Sequence, residues 1–240
     1  MSKQYAFPTD ACYLTLDTNT ANEYLSLSVG KREIEVKSEW KSQVYLDHPE
    51  RFDHCPQVLC RQGLSGCCYW EVKWTGSNGV HIAVSYKGTS RKGNRYDSHL
   101  GYNDKSWALH CSPYNFYFRY NNNEIPVEVP VPGPSTIGVY LDHRAGTLSF
   151  YSVSRDTVTL LHRVQTTFTE PLYPGFHVCA LSSLKLYFGK HKLLNAVNQL
   201  QEEICSHHDK VLEIYPSTDQ QCICYQRVMD EHRGHAYRSG

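Results

Sequence analysis

The sequence predicts an all-β protein, built as a two-sheet antiparallel β-sandwich. Many short runs of alternating apolar and polar residues follow one another between positions 14 and 188. Glycine, asparagine and proline turn signals separate these runs, and little of this region has the apolar spacing of a helix. Short strands at near-regular spacing with turn signals between them are typical of a sandwich. A chain of 240 residues is long enough for one large β-domain and a small appendage.

The strand around Trp70 is the clearest element. A turn with two glycines at residues 63–66 leads into strict alternation, which places Trp70, Val72 and Trp74 on one face. We expect that face to be packed and the opposite face to be wet. Two inward tryptophans bury a large apolar area, so packing is a better interpretation for them than a binding role. Residues 80–84 follow as the second arm of a hairpin.

The other elements follow from the same reasoning. Residues 14–36 form short alternating strands, and residues 38–62, rich in His, Asp and Arg, form a long surface connection. Residues 125–134 contain four prolines and cannot form a central strand, because proline removes a backbone donor. Further strands are predicted at residues 105–109, 116–120, 137–141, 147–151, 158–164 and 184–188.

The pattern changes after residue 188. Residues 191–204 carry apolar side chains at the spacing of an amphipathic helix. Residues 205–235 are rich in Cys and His. We therefore divide the chain into a β-sandwich of residues 1–188, a helical linker of residues 189–204 and a Cys/His-rich segment of residues 205–240.

The composition limits the possible partners and compartments. Lys and Arg total 24, as do Asp and Glu, so the formal net charge is zero. This balance gives no electrostatic support for binding nucleic acid or an anionic membrane surface. No apolar run reaches the roughly 20 residues that span a bilayer, and the N-terminal residues lack the apolar stretch of a secretory signal. We therefore expect a cytoplasmic protein with reduced cysteines.

Several motifs resemble a known family. Leu64-Ser65-Gly66, then Tyr69-Trp70-Glu71-Val72 and Val84-Ser85-Tyr86, resemble the SPRY domain in order and spacing. Residues 14–21 and 25–28 resemble the PRY segment that precedes SPRY in tripartite-motif proteins and butyrophilins. The PRY–SPRY sequence of this chain is similar to the one found in fish tripartite-motif proteins, NOD-like receptors and stonustoxin-type toxins. The resemblance implies a β-sandwich that binds other proteins through its loops.

The C-terminal segment carries a second resemblance. Clusters of Cys, His and Asp at such intervals are typical of structural zinc sites, which need four ligands. Residues 205–235 resemble the B-box of tripartite-motif proteins, although in that family the B-box precedes PRY–SPRY. The resemblance implies zinc as a cofactor, with the fourth ligand of each site replaced by Arg227 or Pro216. The implied zinc ligands are Cys205, His208 and Cys224 at one site and Asp219, His232 and His235 at the other.

A charged, glycine-containing loop at residues 87–97 is the predicted recognition element. The plain alternative is a solvated loop with no binding role. In the family that the chain resembles, such loops form a ligand-binding face, here with residues 45–54, 114–123 and 142–146. Arg and Tyr are favoured at binding hot spots, so we expect an acidic or carbonyl-rich peptide as partner. The candidate ligand-binding residues are Lys87, Arg91, Lys92, Arg95, Tyr96, Asp97, His48, Phe52, Tyr114, His143 and Arg144.

Together these observations predict a non-catalytic module that recognises a protein or peptide, by family analogy in innate immunity. The sequence contains no phosphate-binding glycine loop, nucleophile elbow or His-Glu-x-x-His motif, so we do not expect an enzyme. One alternative is a zinc-binding accessory that contacts a tripartite-motif ubiquitin ligase. A second alternative is a toxin-like membrane-active subunit, although no apolar run is long enough to span a bilayer.

Overall fold

A computed structural model describes most of the chain. The described residues are 12–36, 43, 45–93, 95–155, 157–188, 204–205 and 210–211. At Arg95, at Phe188 and in the pairs 204–205 and 210–211 only the backbone is described. The chain divides into two compact units, Met1–Gly189 and Lys190–Gly240, and both large sheets belong to the first unit.

Two antiparallel sheets form the first unit, which confirms the predicted all-β sandwich. Its strands are β1 Ser26–Leu27, β2 Glu33–Val36, β3 Gln57–Leu59, β4 Cys67–Gly76, β5 Val80–Tyr86, β6 Ser106–Cys111, β7 Phe116–Tyr120, β8 Asn123–Val127, β9 Thr136–Asp142, β10 Thr147–Val153, β11 Val158–Gln165, β12 Leu172–Val178 and β13 Ser182–Phe188. One sheet has the order β1-β2-β13-β4-β9-β10-β11, and the other has the order β3-β12-β5-β6-β7-β8. In the second unit, β14 Ile204–Cys205 pairs with β15 Lys210–Val211.

The proline-rich stretch lies at a sheet edge, as its prolines require, whereas the short helix in the β5–β6 loop was not predicted. Pro126 lies in β8, the edge strand of the six-stranded sheet, where a missing donor interrupts no inner ladder. A single-turn helix, α1 Arg95–Ser98, lies in the loop that was predicted to be irregular.

The predicted linker helix falls outside the described residues except for Ile204, which belongs to β14. No helix among the described residues is long and apolar enough to cross a bilayer.

The core lies between the two sheets. Trp70, Val72 and Trp74 on β4 are 1%, 0% and 4% exposed, and Trp107 on β6 is also buried. The Trp74 indole N–H donates a 3.0 Å hydrogen bond to the carbonyl of Pro134, so this large ring is buried without losing its polar partner. The predicted packing role of these tryptophans is confirmed.

The opposite face of β4 was expected to be wet, which holds for the exposed Lys73 but is wrong for Tyr69 and Glu71. Tyr69 and Glu71 are 6% and 7% exposed, and the Tyr69 hydroxyl donates to Glu71 Oε1 at 3.2 Å. Burial raises the pKa of Tyr69, and the neighbouring Glu71 raises it further. Gly138 on β9 makes room for the ring, since a Cβ there would lie 2.5 Å from the Tyr69 hydroxyl. Buried polar groups are tolerated when they are hydrogen-bonded to each other.

Antiparallel pairing decides which loops share an end of the sandwich. The β5–β6 loop (residues 87–105), the β7–β8 turn (121–122) and the β9–β10 hairpin (143–146) lie at the same end. Aromatic contacts connect this end, because the Phe168 ring lies 5.2 Å from Trp107 and 5.6 Å from His143. The β6–β7 turn (112–115) lies at the opposite end, beside Gly79.

A disulfide ties the start of the described chain to β4. It joins Cys12 to Cys68, whose Cα atoms are 5.9 Å apart and which are separated by 56 positions in sequence. The expectation that the cysteines are reduced is wrong for this pair. Cys60 and Cys111 are buried thiols outside any disulfide, and burial raises the pKa of both.

Candidate functional site

The loop rim is the name used here for residues 45–54, 87–105, 121–123 and 142–146. Its largest part, the β5–β6 loop, folds back over the outer face of the six-stranded sheet. Leu100 in this loop is fully buried against Phe52, Leu59, Ala83 and Ala108. These contacts form a second, smaller apolar cluster outside the main core. The loop is therefore anchored by burial of its own apolar side chain.

Gln57 on β3 fixes the same loop by hydrogen bonds. Its side-chain amide donates to the Ser98 carbonyl at 2.8 Å and accepts from the Leu100 N–H at 2.8 Å. Gln57 is fully buried, so water does not compete for these groups. Two further bonds hold the end of the loop, since Gly101 N–H donates to Ser106 Oγ at 2.7 Å and Ser106 Oγ donates to Asn103 Oδ1 at 2.8 Å. The loop is thus built to hold one conformation.

Arg91 stabilises the loop from inside. Its side chain is 7% exposed, and its guanidinium donates to the carbonyls of Lys87 and Thr89. The same group lies 4.8 Å from the centre of the Phe52 ring and 3.7 Å from Glu50 Oε2. Burial lowers the pKa of Arg91, whereas the nearby Glu50 raises it. The guanidinium holds the loop and does not project from it, which differs from the expected exposed cation.

Other predicted residues of the loop do face solvent. Lys87, Lys92 and Asp97 are exposed, and Tyr96 is 57% exposed with its ring 6.1 Å from that of Tyr102. Arg95 lies in α1, and its side chain is outside the described residues. The loop therefore offers two lysine cations, the Asp97 carboxylate and an aromatic ring on a fixed backbone.

A first cavity, the Lys87 pocket, opens beside this loop. It measures about 240 Å³ and is lined by Asp17, Asn19, Thr20, His48, Glu50, Leu59, Cys60, Arg61, Lys87, Arg91 and Tyr173. Its acidic groups are paired, since Asp17 lies 3.8 Å from Arg61 and Glu50 lies 3.7 Å from Arg91. Lys87 is exposed and forms no ion pair with the described residues. It is therefore the charge that this pocket can offer to a ligand.

A second cavity, the Arg144 pocket, lies at the same end of the sandwich. It measures about 290 Å³, and the β9–β10 hairpin forms one wall while residues 165–168 form the other. Asp142 accepts the Ala145 N–H at 2.9 Å, and His143 Nε2 lies 2.8 Å from the Glu170 carbonyl, so the hairpin is held on both sides. Arg144 is exposed at the mouth, and Phe168 is buried at the base.

The structure brings together some of the predicted ligand-binding residues and separates others. His48, Lys87 and Arg91 line the Lys87 pocket, and Phe52 is buried beneath Arg91. His143 and Arg144 line the Arg144 pocket. Tyr114 is 77% exposed but lies in the β6–β7 turn at the opposite end, so it cannot share this surface.

Sequence reasoning missed Arg61 and Tyr173, which line the Lys87 pocket, and Phe168 in the Arg144 pocket. Tyr173 had a usable signal. It alternates with the buried residues Leu172 and Pro174 on β12, so it faces the outer side of the sheet. Arg61 and Phe168 lie in connections, where no periodicity indicates which way a side chain points.

The predicted zinc ligands lie in the second unit. The backbone of Cys205 belongs to β14 and pairs with Lys210. His208, Asp219, Cys224, His232 and His235 lie outside the described residues, as do Pro216 and Arg227. Within the part of the chain that the structure describes, the one His/Cys/acidic group close enough to share a metal ion is His81, His99 and His177.

Comparisons with known proteins agree with this architecture. The model of the SPRY-associated domain, PRY, matches residues 14–64, and the model of the SPRY domain matches residues 67–191. Neoverrucotoxin subunit alpha of Synanceia verrucosa is 45% identical over 167 residues, which cover 69% of this chain and 23% of the toxin subunit. The chain thus spans about a quarter of the length of such curated relatives.

Solved structures are also similar to the chain. The stonustoxin structure superposes with a TM-score of 0.68 at 40% identity, covering 73% of this chain and 29% of that chain. The TRIM65 PSpry domain superposes with a TM-score of 0.63 at 26% identity, covering 73% of this chain and 90% of that domain. The second match shows that the similar region is close to the whole of an isolated domain.

Replacing Arg91 by Ala should lower the free energy of unfolding by about 1–3 kcal/mol, because it leaves buried carbonyls without their donor. Lys92→Ala is the matched control, since Lys92 is exposed and should change stability by less than about 0.5 kcal/mol. Urea unfolding followed by tryptophan fluorescence measures both. Equal, small effects for the two variants would mean that Arg91 does not hold the loop.

Proposed function

We propose that the chain is a non-catalytic recognition module. It belongs to the SPRY domain family and carries a PRY segment before its SPRY domain. In this proposal the loop rim binds a protein or peptide ligand. The observation that carries the proposal is that two cavities open at one end of the sandwich, beside loops fixed by buried contacts. A surface that is already ordered loses little conformational entropy when it binds.

The charges of the rim indicate the chemistry of the ligand. Asp17 and Glu50 in the Lys87 pocket are paired within the protein, whereas Lys87, Lys92 and Arg144 are exposed. Asp47, Asp53, Asp97 and Asp104 of the loop rim are exposed as well, but they line neither pocket. Tyr96 and Tyr173 add aromatic surface near these cations. A peptide with acidic side chains would pair with the cations and pack its apolar atoms on the rings.

The surroundings of the module are proposed from its relatives. Tripartite-motif relatives support a cytoplasmic protein that acts beside such a protein in innate immunity, which is an argument by analogy. The C-terminal segment would contribute zinc binding, as an accessory of a tripartite-motif ubiquitin ligase. What supports this part is the sequence pattern of Cys205, His208 and Cys224 with Asp219, His232 and His235.

A second candidate function is a subunit of a larger toxin-like protein. The 45% identity to neoverrucotoxin subunit alpha and the likeness to the stonustoxin structure favour it. The Cys12–Cys68 disulfide favours it too, because disulfides persist mainly in oxidising compartments. In this alternative the chain would itself be membrane-active, and its sandwich would bind another subunit.

Selection of a displayed random-peptide library on the immobilised full chain tests the first proposal. The selected peptides should be enriched in Asp and Glu, and Lys87→Glu should weaken their binding at least tenfold, because it replaces attraction by repulsion. The measurement is isothermal titration calorimetry with the selected peptides. Stability should change by less than about 0.5 kcal/mol, since Lys87 is exposed.

Arg155→Glu is the matched control for charge reversal. Arg155 is also exposed but follows the β10 end that lies away from the loop rim, so binding should not change. Selected peptides without acidic enrichment, or an equal loss for Lys87→Glu and Arg155→Glu, would contradict the proposed surface.

Dye release from phospholipid vesicles separates the two candidate functions. A recognition module should release no dye above the level of a buffer blank, whereas a membrane-active subunit should release it in proportion to protein concentration. The second candidate also requires the Cys12–Cys68 bond in the native protein. Mass spectrometry after alkylation in denaturant without reductant would detect it as two unmodified cysteines, because the denaturant exposes the buried free thiols to the alkylating reagent. Dye release by the full chain would overturn the first proposal.

A further inference from the structure

We propose that His81, His99 and His177 form a binding site for a divalent transition metal, with Cys179 as the fourth ligand. The group lies on the outer face of the six-stranded sheet and is separate from the predicted zinc ligands of the second unit. It also contributes nothing to either cavity of the loop rim.

Strand register places two of the histidines side by side. His177 on β12 pairs directly with His81 on β5, and His81 pairs with His110 on β6. Side chains directly opposite each other on neighbouring antiparallel strands share one face of the sheet. Val80 and Ile82 point into the main core, so the histidines point outward.

The third histidine comes from the loop that covers this face. The His99 ring centre lies 5.0 Å from that of His81 and 4.6 Å from that of His177. One nitrogen from each ring lies within 4.8 Å of the others. Tetrahedral zinc with bonds of about 2.0–2.1 Å brings two nitrogens to about 3.3 Å from each other. Side-chain rotations that bring the three nitrogens closer together by up to about 1.5 Å would therefore close the triad on an ion.

The chemistry of His81 favours a ligand. Its side chain is buried at 3% exposure, and its Nδ1 has no hydrogen-bond partner among the described residues. A buried nitrogen without a partner costs free energy, and a metal ion would satisfy it. Burial lowers the pKa of His81, so the ring is neutral near pH 7, which is the form that binds a metal.

Cys179 is the nearest candidate for the fourth ligand on the side of His177, although its Sγ lies outside the group of atoms that are all within 4.8 Å of one another and must move further than the imidazoles. It lies two residues after His177, and its Sγ is 3.8 Å from His177 Nδ1. Sulfur and nitrogen ligands of one tetrahedral zinc lie about 3.6 Å apart. Arg119 lowers the pKa of the Cys179 thiol, although burial raises it more strongly. A thiolate here would offset both the charge of the ion and that of Arg119.

Zinc alone is the probe in the test. The protein is the full chain with Cys205→Ser, Cys224→Ser, His232→Gln and His235→Gln, which removes ligands from both implied zinc sites of the second unit. Metal content after dialysis should be one zinc per chain, and His81→Gln or His177→Gln should lower the zinc affinity at least tenfold in a chelator competition. The control is His162→Gln, since His162 stacks on Phe118 and lies outside the triad.

Cobalt reports on the fourth ligand. The cobalt-loaded protein should show a sulfur-to-metal charge-transfer band that Cys179→Ser removes, and a band that survives this change would overturn the role of Cys179. Circular dichroism confirms that each variant is folded, and His177→Gln is the milder change because His177 is only partly buried. A folded parent protein that retains no zinc, or equal zinc affinity in the His81, His177 and His162 variants, would overturn the site.

Discussion

The outer face of the six-stranded sheet must be covered by the chain's own loops, and the buried side chain of Gln57 is what holds the cover in place. Its amide bonds to the Ser98 carbonyl and the Leu100 N–H satisfy two backbone groups that water cannot reach. An unsatisfied buried group costs about 1–3 kcal/mol, so losing the Gln57 side chain would oppose packing of the loop on this face. The position of Arg91, the opening of the Lys87 pocket and the placement of His99 over the sheet all follow from that packing.

The alternating pattern on β4 was sufficient to predict the core, because Trp70 and Trp74 are large and no polar environment suits them. The same pattern failed for Tyr69 and Glu71. Alternation reports the polarity of side chains but contains nothing about what later covers them. Here a hydrogen bond between the two residues and the missing side chain of Gly138 allow burial. The prediction that Arg91 is an exposed cation was wrong for a related reason. Its guanidinium is buried because it donates to carbonyls in the bend of its own loop, and the sequence pattern does not show that bend.

The error at Tyr114 is of another kind, because the sequence contained the information needed to avoid it. Each strand of an antiparallel meander reverses direction, so successive connections alternate between the two ends of the sheet. The β5–β6 loop and the β7–β8 turn therefore share an end, and the β6–β7 turn with Tyr114 lies at the other. Counting reversals would have excluded Tyr114 from the loop rim. It would not have found Arg61, because the geometry of a connection depends on long-range contacts.

Two neighbouring rows of residues run across the outer face of the six-stranded sheet. They explain why Leu100 of the β5–β6 loop packs on one row and His99 of the same loop packs on the other. Gly175, Ala83 and Ala108 are paired in register and are small, and a Cβ on Gly175 would lie 3.0 Å from Leu100 Cδ1. Gly101 in the loop is small for the same reason, since its Cβ would lie 2.9 Å from that of Ala108. The next row holds His177, His81 and His110, which are too large to admit an aliphatic side chain but can stack with another imidazole. The small row supplies apolar packing. The histidine row places neutral ring nitrogens in a largely buried site. A bound cation would satisfy these nitrogens, whereas an apolar side chain would not.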